Sequence, residues 1–409
     1  MNDSPNYDES KVGNHPLPEI LVCEDGAIVK DTSEWTTKRR LEILRIFESE
    51  VYGKAPKTES TISHKVISTD NNALNGLAIR QEIHIYLSTD NDLMRIDLQL
   101  YTPKNVEHPV PIFLGCNFKG NHAVDPDSSI PINTRWMADS LDGKSVVNNC
   151  ATEYSRGSES SRWPIEQIIR SGFGLATFYY GDVEADHVDG WRTGVRAEFS
   201  EHNADELKSD QWGAIAAWSW GLSRACDYLS SNPLVDSKRI AVIGHSRLGK
   251  AALWAGALDE RFAMVISNNS GAGGISLARR NYGESIASIN ENFPHWFCGN
   301  YKNYNDQPEK LPVDMHQLAA LIAPRPLYIA SAQDDVWADP KGEFLGGKFA
   351  EPAYALFDKP GIGVSEWPPI NHPVGEFIGY HIRSGKHDVT AYDWEQFIRF
   401  ATMHFRKSQ

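Results

Sequence analysis

Arg239-Ile240-Ala241-Val242-Ile243-Gly244-His245-Ser246-Arg247-Leu248-Gly249-Lys250 sets a β-branched strand, a small-residue turn with a serine at its tip, and the start of a helix in direct succession. A serine whose hydroxyl stands clear of both strand and helix needs a sharp, strained corner, and bulky neighbours two or three residues away would clash there. Gly244 and Gly249 supply the room. The following Ala251-Ala252-Leu253-Trp254-Ala255-Gly256-Ala257-Leu258 has helix-forming composition. Ser246 therefore sits near a helix N-terminus, where backbone N–H groups favour developing negative charge. The pattern departs from the usual G-x-S-x-G, because Leu248 stands where the second glycine normally falls and Gly249 follows one residue late.

Outward from this elbow, Pro111–Cys116, Gly174–Tyr180, Met264–Ser267 and Pro326–Ala330 are compact apolar runs of the kind buried in a parallel sheet. They alternate with helical stretches at 164–171, 211–230 and 247–258, which implies βαβ units. Upstream, Thr61–Ile67, Ala78–Tyr86 and Met94–Tyr101 follow one another without helices and predict an antiparallel edge. An amphipathic helix precedes them over Arg39–Val51, with Ile43, Leu44, Phe47 and Val51 at helical spacing. The expected fold class is α/β: an α/β-hydrolase fold, a three-layer αβα sandwich with a mostly parallel central sheet. It is expected to form one domain over 1–409, with an N-terminal arm at about 1–35. Insertions at about 120–160, 181–207 and 275–312 are too long for ordinary connections, and loops of that length usually build a site or a lid.

The chain has 409 residues, 41% of them hydrophobic, with 12 Trp, 15 Tyr and 16 Phe, which is ample for a large core. Its formal charge of −14 argues against nucleic acid and anionic membranes as partners, since nothing more basic than Lys38-Arg39-Arg40 interrupts it. Cys23, Cys116, Cys150, Cys226 and Cys298 show no C-x-x-C spacing, so neither a zinc site nor a disulfide framework is indicated. A monomer without metal, nucleotide or flavin is expected; Gly271-Ala272-Gly273-Gly274 lacks the spacing and trailing acidic residue of a dinucleotide fingerprint. The N-terminus shows no signal-peptide regions. A cytoplasmic location is expected, or a secreted or periplasmic one if a leader was replaced by Met1.

A serine hydroxyl near neutral pH needs a base, usually histidine, and a carboxylate that fixes the histidine tautomer. In α/β-hydrolases the acid follows a later strand and the histidine comes last. Both slots are filled. After Leu327–Ala330 come Asp334, Asp335 and Asp339, which compete for the acid role, and Ser384-Gly385-Lys386-His387-Asp388 precedes a final amphipathic helix at Tyr392–Met403. His387 is the expected base; His372, in a Pro-rich loop, is the alternative, and His245 should point away from Ser246. The backbone N–H of Arg247 is the default oxyanion donor. A second donor would come from Asn117-Phe118-Lys119-Gly120-Asn121-His122, which is bulkier than the glycine-rich loop of lipases. The Arg247 guanidinium could bind either the oxyanion or a substrate anion.

Gly-x-Ser-Arg-x-Gly-Lys at 244–250, Ser270-Gly271-Ala272-Gly273-Gly274, Trp337-Ala338-Asp339-Pro340, Lys386-His387-Asp388 and Asn117-Phe118-x-Gly120-Asn121 together resemble the glucuronoyl esterases of carbohydrate esterase family 15. That family cleaves esters between 4-O-methyl-glucuronic acid on xylan and lignin alcohols. The resemblance covers roughly residues 95–405. It implies Ser246 as nucleophile, His387 as base and Arg247 as oxyanion stabiliser by side chain as well as backbone. It also implies Lys250, Glu284 and Trp337 as contacts to the glucuronate of a glucuronoxylan or lignin–carbohydrate ester. Fungal members carry a glutamate directly before Ser-Gly-Ala-Gly-Gly as the acid, but this chain has Asn269 there. The acid is therefore expected from the later strand, and alignment on Trp337 favours Asp335 over Asp334. The alternative function is an acetyl xylan esterase or a broad-specificity carboxylesterase on the same triad.

Overall fold

The structure, a computed structural model, describes residues 5–56, 63–88, 94–199 and 207–405. The first four residues of the expected arm, the expected strand start at Thr61 and residues 200–206 of the second insertion lie outside these.

The main sheet is built from β1 (Ser63–Asn72), β2 (Ala78–Tyr86), β3 (Arg95–Pro103), β4 (Val110–Asn117), β5 (Gly174–Tyr179), β6 (Val235–His245), β7 (Phe262–Asn268), β8 (Leu327–Ala332) and β9 (Ile378–Arg383). Their spatial order is β1-β2-β3-β5-β4-β6-β7-β8-β9. The pairs β1·β2, β2·β3 and β3·β5 are antiparallel, and every pair from β5·β4 onward is parallel. The edge strand β1 is polar and exposed along almost its whole length, which discourages pairing with another chain.

Side chains alternate across the sheet and divide the apolar core into two layers, as the two-residue period of a strand requires. Ile112, Leu114, Val242 and Val265 point into one layer, where they meet Ile43 and Phe47 of α1 (Arg40–Glu50), with Trp218 and Leu222 of α3 (Ala214–Ser231) and Leu253 and Trp254 of α4 (Arg247–Leu258). Phe113, Ala241, Ile243, Met264 and Ile266 point into the other, against Ile165 and Ile168 of α2 (Ile165–Arg170) and Trp394, Phe397 and Phe400 of α6 (Ala391–Phe405). The result is an αβα sandwich of the α/β-hydrolase class.

The strand β9 carries no sequence signal. Ile378-Gly379-Tyr380-His381-Ile382-Arg383 reads as mixed, yet all six residues are buried. His381 and Arg383 share one carboxylate, His381 Nε2 bonding Asp393 Oδ1 at 2.9 Å and Arg383 Nε donating to Asp393 Oδ2 at 2.7 Å, while Tyr328 OH and backbone carbonyls take their remaining nitrogens. A buried pair satisfied in this way avoids the cost that otherwise excludes such residues from a core strand. All five cysteines are free thiols. The loops after β4, β6, β7, β8 and β9 gather at the carboxyl ends of the parallel strands, where open α/β sheets place their sites.

Candidate active site

Ser246 sits between β6 and α4 with φ 58° and ψ −129°, a conformation costly for a residue with a side chain. Gly244 makes the corner possible, since a Cβ there would lie 1.9 Å from the carbonyl oxygen of Leu248. Gly249 faces the Ser270 side chain, which a Cβ would approach to 3.0 Å, so the late glycine serves the packing of α4 on the next loop. Leu248 is 1% exposed and belongs to the core. The corner is further held by Ser246 N–H donating to Asn268 O at 2.9 Å.

His387 Nδ1 donates to Asp335 Oδ2 at 2.5 Å, which leaves Nε2 as the acceptor nitrogen of the ring. Asp335 is buried, and the same oxygen accepts from Asn269 Nδ2 at 2.9 Å. Asp334 is exposed, and its backbone N–H donates to Gly385 O. Asp339 is committed elsewhere: it caps α5 (Pro340–Lys348) and pairs with Arg280 at 2.9 Å. His372 is exposed and bonded to Ile370 O at 2.9 Å. His245 is buried against Asn268 Oδ1 at 2.6 Å, its ring centroid 4.4 Å from that of His387. Burial, with the neighbouring His387, holds its pKa well below the ordinary histidine value. Of the candidate bases and acids, the structure thus brings His387 and Asp335 together.

The Arg247 guanidinium lies over Trp296 at 4.8 Å, with Phe293 at 5.5 Å and Phe118 at 6.0 Å, and its Nη1 donates to Asp186 Oδ2. Burial acts to lower its pKa, but Asp186 and Tyr180 outweigh burial and raise it. The loop after β4 is ordered by Asn117, whose Oδ1 accepts the Gly120 N–H at 2.7 Å, so that N–H is already taken.

Lys250 is buried, its Nζ donating to Ser270 O at 2.6 Å and lying 5.7 Å over the Trp296 ring. Burial lowers its pKa, opposed by Glu284. Burial likewise raises the Glu284 carboxyl, opposed by Lys250 and by a hydrogen bond from the Trp337 side chain. The two groups therefore form one electrostatic unit. Trp337 is 37% exposed, and its carbonyl accepts the Glu284 N–H at 2.9 Å.

Sequence reasoning did not single out Asp186 or Glu343. Asp186 is one of several acidic residues in an irregular segment, beside Asp182, Glu184 and Asp189, and has no motif. Glu343 is fully buried on α5, accepting from Gly271 N–H at 2.9 Å and Ser331 Oγ at 2.6 Å. Burial pushes its carboxyl up to about 8. Among the described residues no group of three or more His, Cys, Asp or Glu is placed to hold a metal ion.

A family model described as glucuronyl esterase of fungi matches residues 167–357. A solved glucuronoyl esterase from Solibacter usitatus is 47% identical, superposes with a TM-score of 0.92, and is covered over 98% of this chain and 100% of its own. The chain belongs to carbohydrate esterase family 15. A solved member from a marine bacterial metagenome, described as a promiscuous esterase, is 43% identical with a TM-score of 0.91 over 98% of this chain and 100% of its own. A 4-O-methyl-glucuronoyl methylesterase from Phanerochaete chrysosporium is 40% identical over 193 residues, which is 44% of this chain and 40% of that protein.

Proposed function

We propose that this esterase hydrolyses carboxylic esters of 4-O-methyl-glucuronate, in alkyl glucuronates and in glucuronoxylan–lignin links, through Ser246. The observation that carries the reading is the His387–Asp335 hydrogen bond at the strand ends that also present the strained Ser246 corner. His387 Nε2 takes the Ser246 proton as Oγ attacks the ester carbonyl, and Asp335 holds the imidazole tautomer and the imidazolium that forms. The Arg247 guanidinium and the first N–H groups of α4 stabilise the tetrahedral oxyanion. The C–O bond to the alcohol then breaks, the alcohol leaves with the His387 proton, and water, deprotonated by the same histidine, releases glucuronic acid from Ser246.

Lys250 and Glu284 give the reading its substrate. A buried ammonium and a half-buried carboxyl close enough to act on each other supply a donor and an acceptor for adjacent sugar hydroxyls, with Trp337 beside Glu284 as an apolar wall. An acetyl group could use none of these. A broader carboxylesterase activity, including removal of acetyl groups from xylan, is the second reading, favoured by the likeness to the promiscuous marine relative. The test is turnover of methyl glucuronate by the wild type, Ser246→Ala and His387→Ala. Each variant is expected to lose roughly 10⁴- to 10⁶-fold. Near-wild-type turnover in either overturns the mechanism.

A further inference from the structure

We infer that Asp186 is the positioning residue that aims Arg247 at the reacting carbonyl. Its carboxylate accepts four hydrogen bonds from three parts of the chain. Oδ1 takes His295 Nε2 at 2.7 Å and Trp296 Nε1 at 2.8 Å, both from the 275–312 insertion. Oδ2 takes Tyr180 OH at 3.0 Å, just after β5, and Nη1 of Arg247, the residue next to the nucleophile. The side chain is 4% exposed, and these donors hold the carboxyl below the usual carboxylate range despite its burial. A carboxylate so fully engaged has one orientation.

The arginine has no comparable anchor. Besides Asp186 and the Tyr180 hydroxyl, which Asp186 itself holds, its described contacts are the faces of Trp296, Phe293 and Phe118, and an aromatic face lets a planar cation slide and rotate. Its Nε is buried without a hydrogen-bond partner. Fixing Nη1 on a rigid acceptor restrains the guanidinium in one orientation. A donor stabilises a developing oxyanion only if it is already aimed, so orientation rather than charge is what Asp186 provides. Two of the three long insertions thereby meet on the carboxylate that holds Arg247. The inference rests on the reading of Arg247 as an oxyanion stabiliser.

The test is a double-mutant cycle on benzyl glucuronate with the full chain: wild type, Asp186→Asn, Arg247→Ala and the double variant, each titrated to a covalent endpoint with a fluorophosphonate so that kcat refers to competent sites. Arg247→Ala is expected to lose roughly 10²- to 10³-fold in kcat, the scale of one oxyanion donor. Asp186→Asn is expected to lose roughly 10- to 100-fold in kcat with KM changed less than about threefold, and the double variant to be no slower than Arg247→Ala. If Asp186→Asn does not fold, Asp186→Glu keeps the charge and displaces the acceptor, and the same cycle is read with it. Multiplying losses in the double variant, or wild-type kcat in the Asp186 variant while Arg247→Ala is impaired, overturns the inference alone. Wild-type kcat in Arg247→Ala removes the reading of Arg247 and the inference with it.

Discussion

Asn269 Nδ2 donates to Asp335 Oδ2 over 2.9 Å, the same oxygen that receives His387 Nδ1 at 2.5 Å. Asn269 occupies the position where the fungal sequences it resembles carry their acid. Here the amide supports a carboxylate that arrives from the neighbouring strand end. A carboxylate at both positions would set two like charges in a buried space, and one of them would have to stay protonated.

Removing the amide leaves Asp335 with one fewer donor. Asn269→Ala is expected to lower kcat about 10-fold with little change in KM, because a hydrogen bond to a buried charge is worth roughly 1.5–3 kcal/mol. Asp335→Asn should cost about 10⁴-fold through loss of the correct tautomer, and Asp334→Asn less than about twofold. Steady-state kinetics of the three variants on methyl glucuronate check this, and the reverse ranking of the two aspartates would move the acid by one residue.

Lys250 and Glu284 should govern which ester is cleaved. Lys250→Met and Glu284→Gln are each expected to lower kcat/KM on a glucuronate ester by about 10- to 100-fold while changing an acetyl ester only a few-fold, since an unpaired sugar hydroxyl is penalised only in the first case. Equal losses on both esters would assign the pair to folding instead.

Glu343 predicts a pH dependence of stability. Its folded carboxyl titrates near 8 against an ordinary value of 4.5. Between those values the folded chain keeps a proton that the unfolded chain has lost, so this group's stabilisation is full below about 4.5 and fades as pH rises through 8. The span is on the order of a few kcal/mol. Melting temperatures recorded from pH 5 to 8.5 should fall less steeply for Glu343→Gln than for the wild type; parallel curves would show that the carboxyl is ionised in the fold.

Much of this was legible in the sequence wherever one physical rule acts locally. The strand expected over Ala78–Tyr86 matches β2 in its bounds, and α4 runs over 247–258 as its composition predicts. The strand β9 was not legible, because its burial depends on Asp393 satisfying His381 and Arg383, a contact that no local pattern contains. The residues alone leave the acid open among Asp334, Asp335 and Asp339, and the family resemblance favours Asp335. The positions of Asn269, Arg280 and His387 distinguish the three by contacts that no local pattern contains. Asp186 was invisible for the same reason: an aspartate in an irregular segment acquires its character from four donors that lie far apart in the chain.

The central claim is that Ser246 cleaves the acyl side of a glucuronate ester. The most direct measurement is kcat/KM for benzyl glucuronate and for an acetylated xylo-oligosaccharide, taken side by side on the wild type and Ser246→Ala. The account predicts serine-dependent cleavage with the glucuronate ester preferred by at least about 10-fold, the discrimination of one well-placed polar contact. Preference for the acetyl ester, or glucuronate cleavage that survives Ser246→Ala, would contradict it.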